Sequence, residues 1–407
     1  MRERHKSVTA PTFDAIRAFA QVANSFVPTA QRCVSMVPLR DVPAVPDHPS
    51  TERTCPGHDA RCVLDVRRLE SAPEAAWDAA ACASPQAHLG MASAWFAIIR
   101  NAYGHRPFYV TAQPNDGGDF VILPAFLVHR WPFGTTLTSM PFLDAGGPTG
   151  GTRPLRDAAL DRILLEAQAR GAAQIELRCL SPLNLAVPPS LEKVTLIRSL
   201  PSDPDSLWRE LDTKVRNQIR KAERSGISVE TGRLDLLDEF YRVFAVNMRD
   251  LGSPVHSKEF FRQLLHTFGS VASVVIARKG AAPVGGLIAI TYGETRYVPW
   301  ASTLRSHNAS CPNMLMYWET LRRACLDGIA QFDFGRSTRG SGTHRFKTQW
   351  GATDRQLYWY TANCSQDPAA RRSSHDRTLA VLSGAWKRLP VFVTRAIGPT
   401  IRKRLTQ

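Results

Sequence analysis

Apolar residues recur along this chain with two different spacings, and the order of these spacings is similar in both halves. Alternating apolar and polar residues predict strands, whereas an apolar residue every three or four positions predicts a helix. In the first half, helices are predicted at 77–82, 91–103 and 157–170, and strands at 108–112, 120–128 and 175–177. In the second half, a helix is predicted at 313–327, and strands at 274–277, 284–291, 295–301 and 332–334. The pattern therefore predicts a mixed α/β protein.

The ends of two of these helices are similar in sequence. Each is followed by a glycine, Gly171 or Gly328, and glycine is favoured there because it adopts a left-handed backbone conformation without strain. The segments that begin at these glycines read GAAQIEL and GIAQFDF and are offset by 157 residues. With the shared order of elements, this match predicts a duplication that places Ile175 and Phe332 on equivalent strands.

Composition divides the chain into four parts. Residues 1–60 are rich in Pro, Ser, Thr and Arg and largely lack periodicity, so we expect a mobile extension. Residues 61–200 and 201–364 are predicted to form two similar α/β domains. Residues 365–407 form a basic tail in which nine Lys and Arg residues face two Asp residues, which gives the tail +7 of the net charge.

Aromatic and aliphatic residues are interspersed with the cations of the tail, in GAWKRLPVFVTRAIGPTIRKRL. This composition is typical of an amphipathic segment that contacts an anionic membrane. A helix that covers apolar surface of the protein core explains it equally well.

The net charge of +15 over 407 residues favours an anionic partner: a nucleic acid, a phosphate-rich substrate or an acidic membrane surface. The eight cysteines have neither metal-ligand spacing nor a disulfide framework, so we expect reduced thiols and no metal site. No apolar run approaches the roughly 18 residues of a spanning helix, and the N-terminus lacks the apolar part of a signal peptide. The sequence predicts a cytoplasmic protein, with a peripheral position at the inner face of the membrane as a further expectation.

Two cationic segments are candidates for binding an anion. The first, the basic stretch DFGRSTRGSGTHRFKTQWG at 333–351, is predicted to be a glycine-rich loop that follows a strand, in which backbone N–H groups and guanidinium groups are able to surround a ligand. The second is a helix at 205–225 whose apolar face is opposite a basic one. For both, a solvated surface is the alternative to a phosphate site.

Motifs for covalent catalysis are missing from the sequence. It contains no G-x-S-x-G, Walker or H-E-x-x-H motif, and His344 is a lone candidate base in the basic stretch. The order of elements resembles acyltransferases of the GNAT type. In those enzymes, the loop that binds the coenzyme A pyrophosphate reads R/Q-x-x-G-x-G/A, but residues 305–310 read RSHNAS here. The missing glycines weigh against an ordinary acetyl-CoA enzyme.

Four segments of the second half resemble the FemAB family of the GNAT superfamily: LDTKVRNQIRKAERSGI, VVIARKGAAPVGGLIAITYG, NMLMYWETLRRACLDG and FDFGRSTRGSGTHRFKTQWG. With MRDLGSPVHSKEFF and the W-K-R-L-P of the tail, they most resemble FemAB-related proteins associated with exosortase (XrtA/PEP-CTERM) and exopolysaccharide systems. The long coiled-coil arm of some FemAB members is missing, which argues against their mode of tRNA engagement.

The resemblance implies two tandem GNAT-like domains, with mixed sheets flanked by helices. It further implies transfer of an amino-acid or acyl group to an amine of a peptidoglycan or exopolysaccharide precursor, by positioning and oxyanion stabilisation rather than a covalent intermediate. The implied catalytic residues are Lys347, Phe346 and His344. The candidate substrate-binding residues are Arg216, Asn217, Arg220, Arg336, Arg339, Arg345, Tyr317 and Trp350.

The sequence leaves the acyl donor open. We expect no bound cofactor, and an aminoacyl-tRNA or an acyl thioester as co-substrate. The acceptor is expected to be an anionic small molecule or a lipid-linked precursor. An N-acyltransferase that uses acyl-CoA or acyl carrier protein is one alternative, and a binding factor without catalytic activity in polysaccharide or PEP-CTERM assembly is another.

Overall fold

The computed structural model describes residues 64–72, 75–114, 120–130, 134–363 and 383–406. The predicted extension at 1–60 lies outside these ranges, as does the start of the tail. In the described part, helices flank several sheets, which confirms the mixed α/β prediction.

The first half begins with an edge strand and ends with a strand that leads to the second half. Its helices are α1 (Ala75–Ala83), α2 (Trp95–Tyr103) and α3 (Arg153–Ala169). Its strands are β1 (Leu64–Arg68), β2 (Arg106–Pro107), β3 (Val110–Pro114), β4 (Val121–Leu123), β5 (Ala125–His129), β6 (Thr135–Ser139), β7 (Thr149–Gly150), β8 (Ala172–Cys179) and β9 (Lys193–Ser199).

The second half begins with helices and continues with three long antiparallel strands. Its helices, with that of the tail, are α4 (Pro204–Glu210), α5 (Thr213–Arg224), α6 (Leu237–Leu251), α7 (Lys258–Phe268), α8 (Pro312–Leu326), α9 (Gly342–Thr348) and α10 (Val391–Arg402). Its strands are β10 (Ile227–Gly232), β11 (Ala272–Lys279), β12 (Ala282–Tyr292), β13 (Thr295–Thr303), β14 (Gln331–Thr338), β15 (Thr353–Gln356) and β16 (Tyr358–Asn363).

The strands form a four-stranded, a five-stranded and a seven-stranded sheet. Their orders are β1-β3-β4-β7, β16-β8-β6-β5-β2 and β10-β11-β12-β13-β14-β9-β15. Most neighbours are antiparallel, but β6 pairs with β8 and β13 with β14 in parallel. In both parallel pairs a helix connects the strands, α3 in the first half and α8 in the second.

The predicted duplication is confirmed by these parallel pairs. Ile175 on β8 lies opposite Leu137, and Phe332 on β14 lies opposite Arg296. Both strands follow a helix that ends in a left-handed glycine, Gly171 with φ 85° and Gly328 with φ 70°. The protein therefore has two tandem GNAT-like domains.

Each half contributes a strand to the sheet of the other. The strand β9, from the predicted first domain, pairs with β14 and β15 of the second. In return, β16 pairs with β8 of the first half. Backbone hydrogen bonds therefore join the two halves in both sheets, and elements of both halves meet at the ends of β8 and β14.

The basic segment at 205–225 folds as two helices instead of the predicted one. The chain turns after α4, where Leu211 is extended, and Asp212 begins α5 by accepting a hydrogen bond from the backbone N–H of Lys214 at 2.6 Å. Asp is a preferred N-cap because its carboxylate satisfies a free backbone donor. The predicted apolar face is buried despite the break, at Leu207, Leu211, Val215 and Ile219.

The described part of the tail covers the core. Trp386 and Val393 are buried, and α10 packs against α6. Near the end of the chain, the carbonyl of Thr406 accepts hydrogen bonds from the backbone N–H of Phe142 at 2.9 Å and from Arg178 Nη2 at 2.6 Å. Residues 383–406 thus take the arrangement that the core-covering alternative predicts. None of the helices in the ranges given above is long and apolar enough to cross a membrane.

We expect a chain that ends at residue 382 to melt several degrees below the full chain, since the deletion exposes apolar core and removes one hydrogen-bond acceptor of buried Arg178, the carbonyl of Thr406. Thermal denaturation checks this. Phe392→Ala is the matched control because Phe392 is 72% exposed and its replacement should leave the melting temperature unchanged. An unchanged melting temperature for the shortened chain would contradict the core-covering role.

Candidate active site

A pocket of about 270 Å³ lies where the parallel strands β13 and β14 separate. The two strands pair over only three positions, which end at Tyr297 opposite Asp333. Beyond that point the pocket is lined by residues 297–300 on one side and 333–336 on the other. Parallel strands that diverge leave backbone groups facing the gap without a partner strand, so this opening is suited to an extended ligand.

The walls of the pocket combine apolar side chains with charged ones, of which Asp333, Lys347 and Arg402 are buried. The apolar residues are Leu89, Phe142, Leu143, Met248, Tyr297, Val298, Pro299, Trp300 and Phe334. The charged residues are Asp144, Asp333, Arg336, Lys347 and Arg402. Leu89, Phe142 and Asp144 come from the first half of the chain, so both halves and the tail build the site.

Gly335 shapes the centre of the pocket. The pairing of β14 with β9 shifts register between Asp333 and Arg336, and Gly335 within this bulge has φ 76°. A β-carbon at Gly335 would lie 3.4 Å from the carbonyl oxygen of Val298, 3.5 Å from Asp144 Oδ2 and 3.9 Å from Lys347 Nζ. The bulge therefore brings the backbone close to both charged groups, and glycine is required there by its positive φ.

Lys347 is fixed on this bulge. Its Nζ donates hydrogen bonds of 2.8 Å to the carbonyl oxygens of both Gly335 and Arg336. Burial lowers the pKa of Lys347 to about 8, against the opposing effect of Asp144 and Asp333, whose charges raise it. An ammonium group has three N–H donors, so one donor remains for a ligand in the pocket.

Asp333 is buried at the floor of the pocket. Its Oδ1 accepts hydrogen bonds from Thr195 Oγ1 at 2.6 Å and from the backbone N–H of Gly335 at 2.7 Å. Within the described ranges, its Oδ2 accepts none. Burial raises the pKa of Asp333 to about 6, although these hydrogen bonds oppose the shift. A carboxylate with a free oxygen and a pKa close to neutrality is suited to general base catalysis.

Asp144 connects the first half of the chain to β14. Its Oδ2 accepts a hydrogen bond from the backbone N–H of Arg336 at 2.9 Å, and Arg336 Nη1 lies 3.5 Å from its Oδ1. The guanidinium of Arg336 also lies over the ring of Trp359, 5.1 Å from its centroid. Burial lowers the pKa of Arg336.

The equivalent position in the first half is filled. Glu176 aligns with Asp333, and Arg178 aligns with Gly335. The fully buried side chain of Arg178 pairs with Glu176, and the hydroxyl of Thr406 donates a hydrogen bond of 2.6 Å to Glu176 Oε2. In the first half, Arg178 thus neutralises Glu176. In the second half, Gly335 stands at the position of the arginine, and Asp333 faces an open pocket.

The basic stretch that the sequence predicted as a loop is mostly regular structure. Strand β14 continues to Thr338, and α9 begins at Gly342 with Ser341 as its N-cap. Of its cations, Arg336 and Lys347 face the pocket.

Arg339, Arg345 and His344 lie outside the pocket lining. Arg339 Nε is 3.2 Å from Asp354 Oδ2, and His344 Nε2 is 2.9 Å from Asp354 Oδ1. The exposed Arg345 donates a hydrogen bond of 2.6 Å to the carbonyl of Gly340. The predicted roles of these three residues in catalysis and binding therefore stay predictions.

The predicted aromatic residues form a layer that supports the pocket. The ring centroid of Tyr317 lies 5.6 Å from that of Phe334 and 5.2 Å from that of Phe346. Trp350 is fully buried beside them. Since Phe334 lines the pocket and the other three do not, this layer holds β14 and α9 in place.

The cations of α5 lie on a different surface. Asn217 lines a shallow depression along α5 together with Lys214, Gln218, Lys221 and Arg224. Arg220 lies over the ring of Trp208, 5.5 Å from its centroid, and Arg216 donates a hydrogen bond of 3.2 Å to Thr213. No residue of α5 lines the pocket that holds Lys347, so the predicted phosphate contacts on this helix would form a separate site.

Three charged residues of the pocket were not among the sequence candidates: Asp144, Asp333 and Arg402. The sequence contained one indication for Asp333. This residue lies between two aromatic residues on a predicted strand, and Glu176 occupies the matching position in the repeat. Acidic residues are uncommon on buried strands, so a repeated one is a candidate site residue. Asp144 and Arg402 gave no comparable signal, since each lies far in sequence from the other pocket residues.

The segment at 305–310 lies between β13 and α8, where GNAT enzymes have their pyrophosphate loop. It forms a 3₁₀ helix, and the backbone N–H groups of His307 and Cys311 donate to the carbonyls of Leu304 and Asn308. These two donors are occupied within the chain, and the segment lacks the glycines of the usual pyrophosphate loop.

Comparisons with known proteins agree with this architecture. Residues 209–348 match the family described as "Acetyltransferase (GNAT) domain". The crystal structure of FemX is similar over 71% of this chain and 96% of its own, with 14% sequence identity and a TM-score of 0.56. No curated protein matches the sequence of this chain.

Two further solved structures have lower TM-scores. A tandem GNAT protein from the clavulanic acid biosynthesis pathway is 11% identical over 75% of this chain and 100% of its own, with a TM-score of 0.47. L-PGS from Bacillus licheniformis is 12% identical over 79% of this chain and 100% of its own, with a TM-score of 0.46. The family match in the second half, the similarity to FemX and the internal repeat together identify the fold of this chain as a GNAT-type, FemX-like pair of domains.

Proposed function

We propose that the protein transfers an acyl or aminoacyl group to an amine of an anionic cell-envelope precursor. The observation that carries this proposal is the pair of Lys347 and Asp333 in the opening between β13 and β14. A buried ammonium with a free donor and a buried carboxylate with a free oxygen are the two groups that such a reaction requires.

The chemistry follows from these two side chains. The acceptor amine attacks the carbonyl carbon of the donor, and a C–N bond forms while negative charge develops on the carbonyl oxygen. Lys347 stabilises this oxyanion with its remaining N–H donor. Asp333 accepts the amine proton, and the proton passes to the leaving oxygen or sulfur as the C–O or C–S bond breaks.

The donor is proposed to be an aminoacyl-tRNA or an acyl carrier protein rather than free acyl-CoA. The absence of glycine from residues 305–310 and the occupied N–H groups of His307 and Cys311 support this choice, since the usual loop that binds the coenzyme A pyrophosphate contains glycines. The net charge of +15 also favours a large anionic donor. An aminoacyl-tRNA donor is also what the sequence resemblance to the FemAB family implies, and fold similarity alone does not determine substrate.

The acceptor is proposed to be a peptidoglycan or exopolysaccharide precursor, either free or lipid-linked. The cations in the pocket, Arg336, Arg402 and Lys347, outnumber its acids, Asp144 and Asp333, which favours a negatively charged acceptor. The association with XrtA/PEP-CTERM systems rests on the sequence resemblance and stays a prediction. Peripheral contact with an anionic membrane, through exposed residues such as Phe392 and Lys387, also stays a prediction.

A donor screen tests the proposal. The full chain is incubated with radiolabelled aminoacyl-tRNA, acyl carrier protein or acyl-CoA, and with peptidoglycan and polysaccharide precursors that carry an amine. We expect label in the acceptor with one of the first two donors. Label from acyl-CoA alone would favour the N-acyltransferase alternative. Precursor binding without transfer from any donor would favour the non-catalytic binding factor.

Gly335 and Gly340 have similar positive φ angles, but only Gly335 lines the pocket. Replacing each by alanine therefore separates an effect on the pocket from the effect of backbone strain. Gly335→Ala and Gly340→Ala both place a β-carbon at positive φ, at 76° and 72°, so each should lower stability by about 1 kcal/mol. A β-carbon at Gly340 meets no atom within 4 Å, whereas one at Gly335 approaches Asp144 and Lys347. The methyl group at position 335 would lie at ordinary contact distance from both side chains and occupy space beside Lys347, so we expect a greater loss of transfer for Gly335→Ala than for Gly340→Ala, measured beside chemical denaturation. Equal activity of the two variants would show that the bulge does not position Lys347.

A further inference from the structure

Arg402 reaches the pocket from the C-terminal tail. It lies at the end of α10, is 8% exposed and lines the pocket together with Arg336 and Lys347. The sequence places it 55 residues beyond Lys347, in a segment that otherwise covers the core. A buried guanidinium is normally paired or hydrogen-bonded, because its transfer out of water costs free energy.

One edge of this guanidinium is held by other side chains. Arg402 Nε donates a hydrogen bond of 3.1 Å to His256 Nε2, and His256 Nδ1 lies 2.6 Å from the hydroxyl of Tyr103. Burial keeps the pKa of His256 well below its usual value, so its ring is neutral and its Nε2 accepts. The guanidinium also lies over the ring of Phe142, 5.4 Å from its centroid.

The opposite edge has no partner in the described part of the chain. Neither terminal nitrogen of Arg402 donates a hydrogen bond or forms an ion pair there, although the nitrogens belong to a buried, charged group. In the same pocket, Arg336 Nη1 is buried and makes no hydrogen bond, although it lies 3.5 Å from Asp144 Oδ1 in an ion pair. Two guanidinium groups with unsatisfied donors therefore line one small cavity.

We propose that Arg402 and Arg336 together bind an oxyanion, a carboxylate or phosphate group, of the substrate. Guanidinium groups bind both kinds of group with paired N–H donors, and burial strengthens these contacts. The proposal rests on the proposed function in taking this pocket as the substrate site, and it assigns the tail a part in substrate recognition. Arg402 is then a binding residue that selects acceptors or donors with a negative charge close to the reacting carbonyl.

The test uses the full chain and two simple probes, inorganic phosphate and acetate. Each is titrated at constant ionic strength while thermal denaturation is recorded, because a ligand that binds only the folded state raises the melting temperature. We expect a saturable rise with at least one probe, and the stronger probe identifies the group. Arg402→Gln and Arg336→Gln should each weaken binding at least ~10-fold, since a hydrogen bond to a charged group is lost.

The control is Arg404→Gln, which removes the same charge from an exposed position two residues away and should bind the probe like the wild type. Arg336→Gln leaves α10 intact, so it keeps the test valid if Arg402→Gln fails to fold. No saturable rise for the wild type with either probe would refute the proposal, and so would wild-type affinity in both pocket variants. If the protein transfers a group and Arg402→Gln transfers it as well as the wild type, this inference is rejected and the proposed function stands. If the protein binds an oxyanion through Arg402 but transfers no group, the proposed function is rejected and this inference stands.

Discussion

Replacing Lys347 by alanine is expected to lower turnover at least ~10²-fold, the loss typical of removing one donor to a developing oxyanion. The structure explains why one residue has this effect. The ammonium is fixed by the carbonyl oxygens of Gly335 and Arg336, so its remaining donor has a defined direction into the pocket. Water that fills the space of the missing side chain provides a donor without that orientation.

The measurement is single-turnover transfer with the donor found by the screen. Lys347→Met is the more informative variant, because it keeps the apolar stem and removes only the charge. Thr348→Ala is the matched control, since Thr348 lies on the exposed side of the same helix α9 and is not a candidate site residue. Turnover of Lys347→Met close to that of the wild type would reject oxyanion stabilisation by this residue.

Asp333→Asn is expected to lower turnover by about 10²-fold or more and to change its dependence on pH. In the wild type, activity should rise as pH increases through about 6, where Asp333 loses its proton, and fall above about 8, where Lys347 loses its own. The amide of asparagine does not accept the amine proton, so the acidic limb should disappear in the variant. A bell-shaped profile that is identical in both proteins would assign the limbs to other groups.

The same substitution should raise stability at neutral pH. The pKa of Asp333 in the folded protein, about 6, is above its ordinary value of 3.8. The stability that this group contributes is therefore present below about pH 4 and is lost as pH rises through 6. The shift of about two units corresponds to roughly 3 kcal/mol.

Chemical denaturation of both proteins at pH 4 and pH 7.5 measures this difference. Asp333→Asn should be the more stable protein at pH 7.5, and its advantage should shrink towards pH 4. Because the charge of Asp333 also raises the pKa of Lys347, the difference between the two proteins reports Asp333 together with its effect on Lys347. Lower activity with higher stability distinguishes a catalytic carboxylate from one that serves the fold, whose loss would lower both.

Much of the fold was predictable because its signals are local. Alternation and helical spacing placed the strands around Ile175 and Phe332 and the helices before them, and the glycines after those helices marked their ends. The break between α4 and α5 was missed, because the apolar spacing from Leu207 to Ile219 continues across it while the N-cap Asp212 starts a new helix. The exchange of β9 and β16 between the sheets was also beyond sequence patterns, since strand partners depend on long-range pairing.

The candidate site was predictable only in part. The basic stretch at 333–351 pointed to Lys347 and Arg336, both of which line the pocket. The other cations of that stretch look alike in sequence, but β14 and α9 direct Arg339 and Arg345 outward. A side chain's direction depends on the exact end of a strand and the start of a helix, and composition does not contain this information.

By itself, the sequence determined the α/β class, the duplication, the cationic character of the site and the FemAB-like expectation, because periodicity, repeated motifs and charge are properties of neighbouring residues. The tertiary structure decided which of the two repeats keeps an open pocket. In the first repeat Arg178 fills the space and neutralises Glu176, whereas in the second Gly335 leaves Asp333 beside Lys347. It also decided that Asp144 from the first half and Arg402 from the tail join them, since only folding brings residues so distant in sequence into one low-dielectric cavity, where burial raises the pKa of Asp333 and lowers that of Lys347.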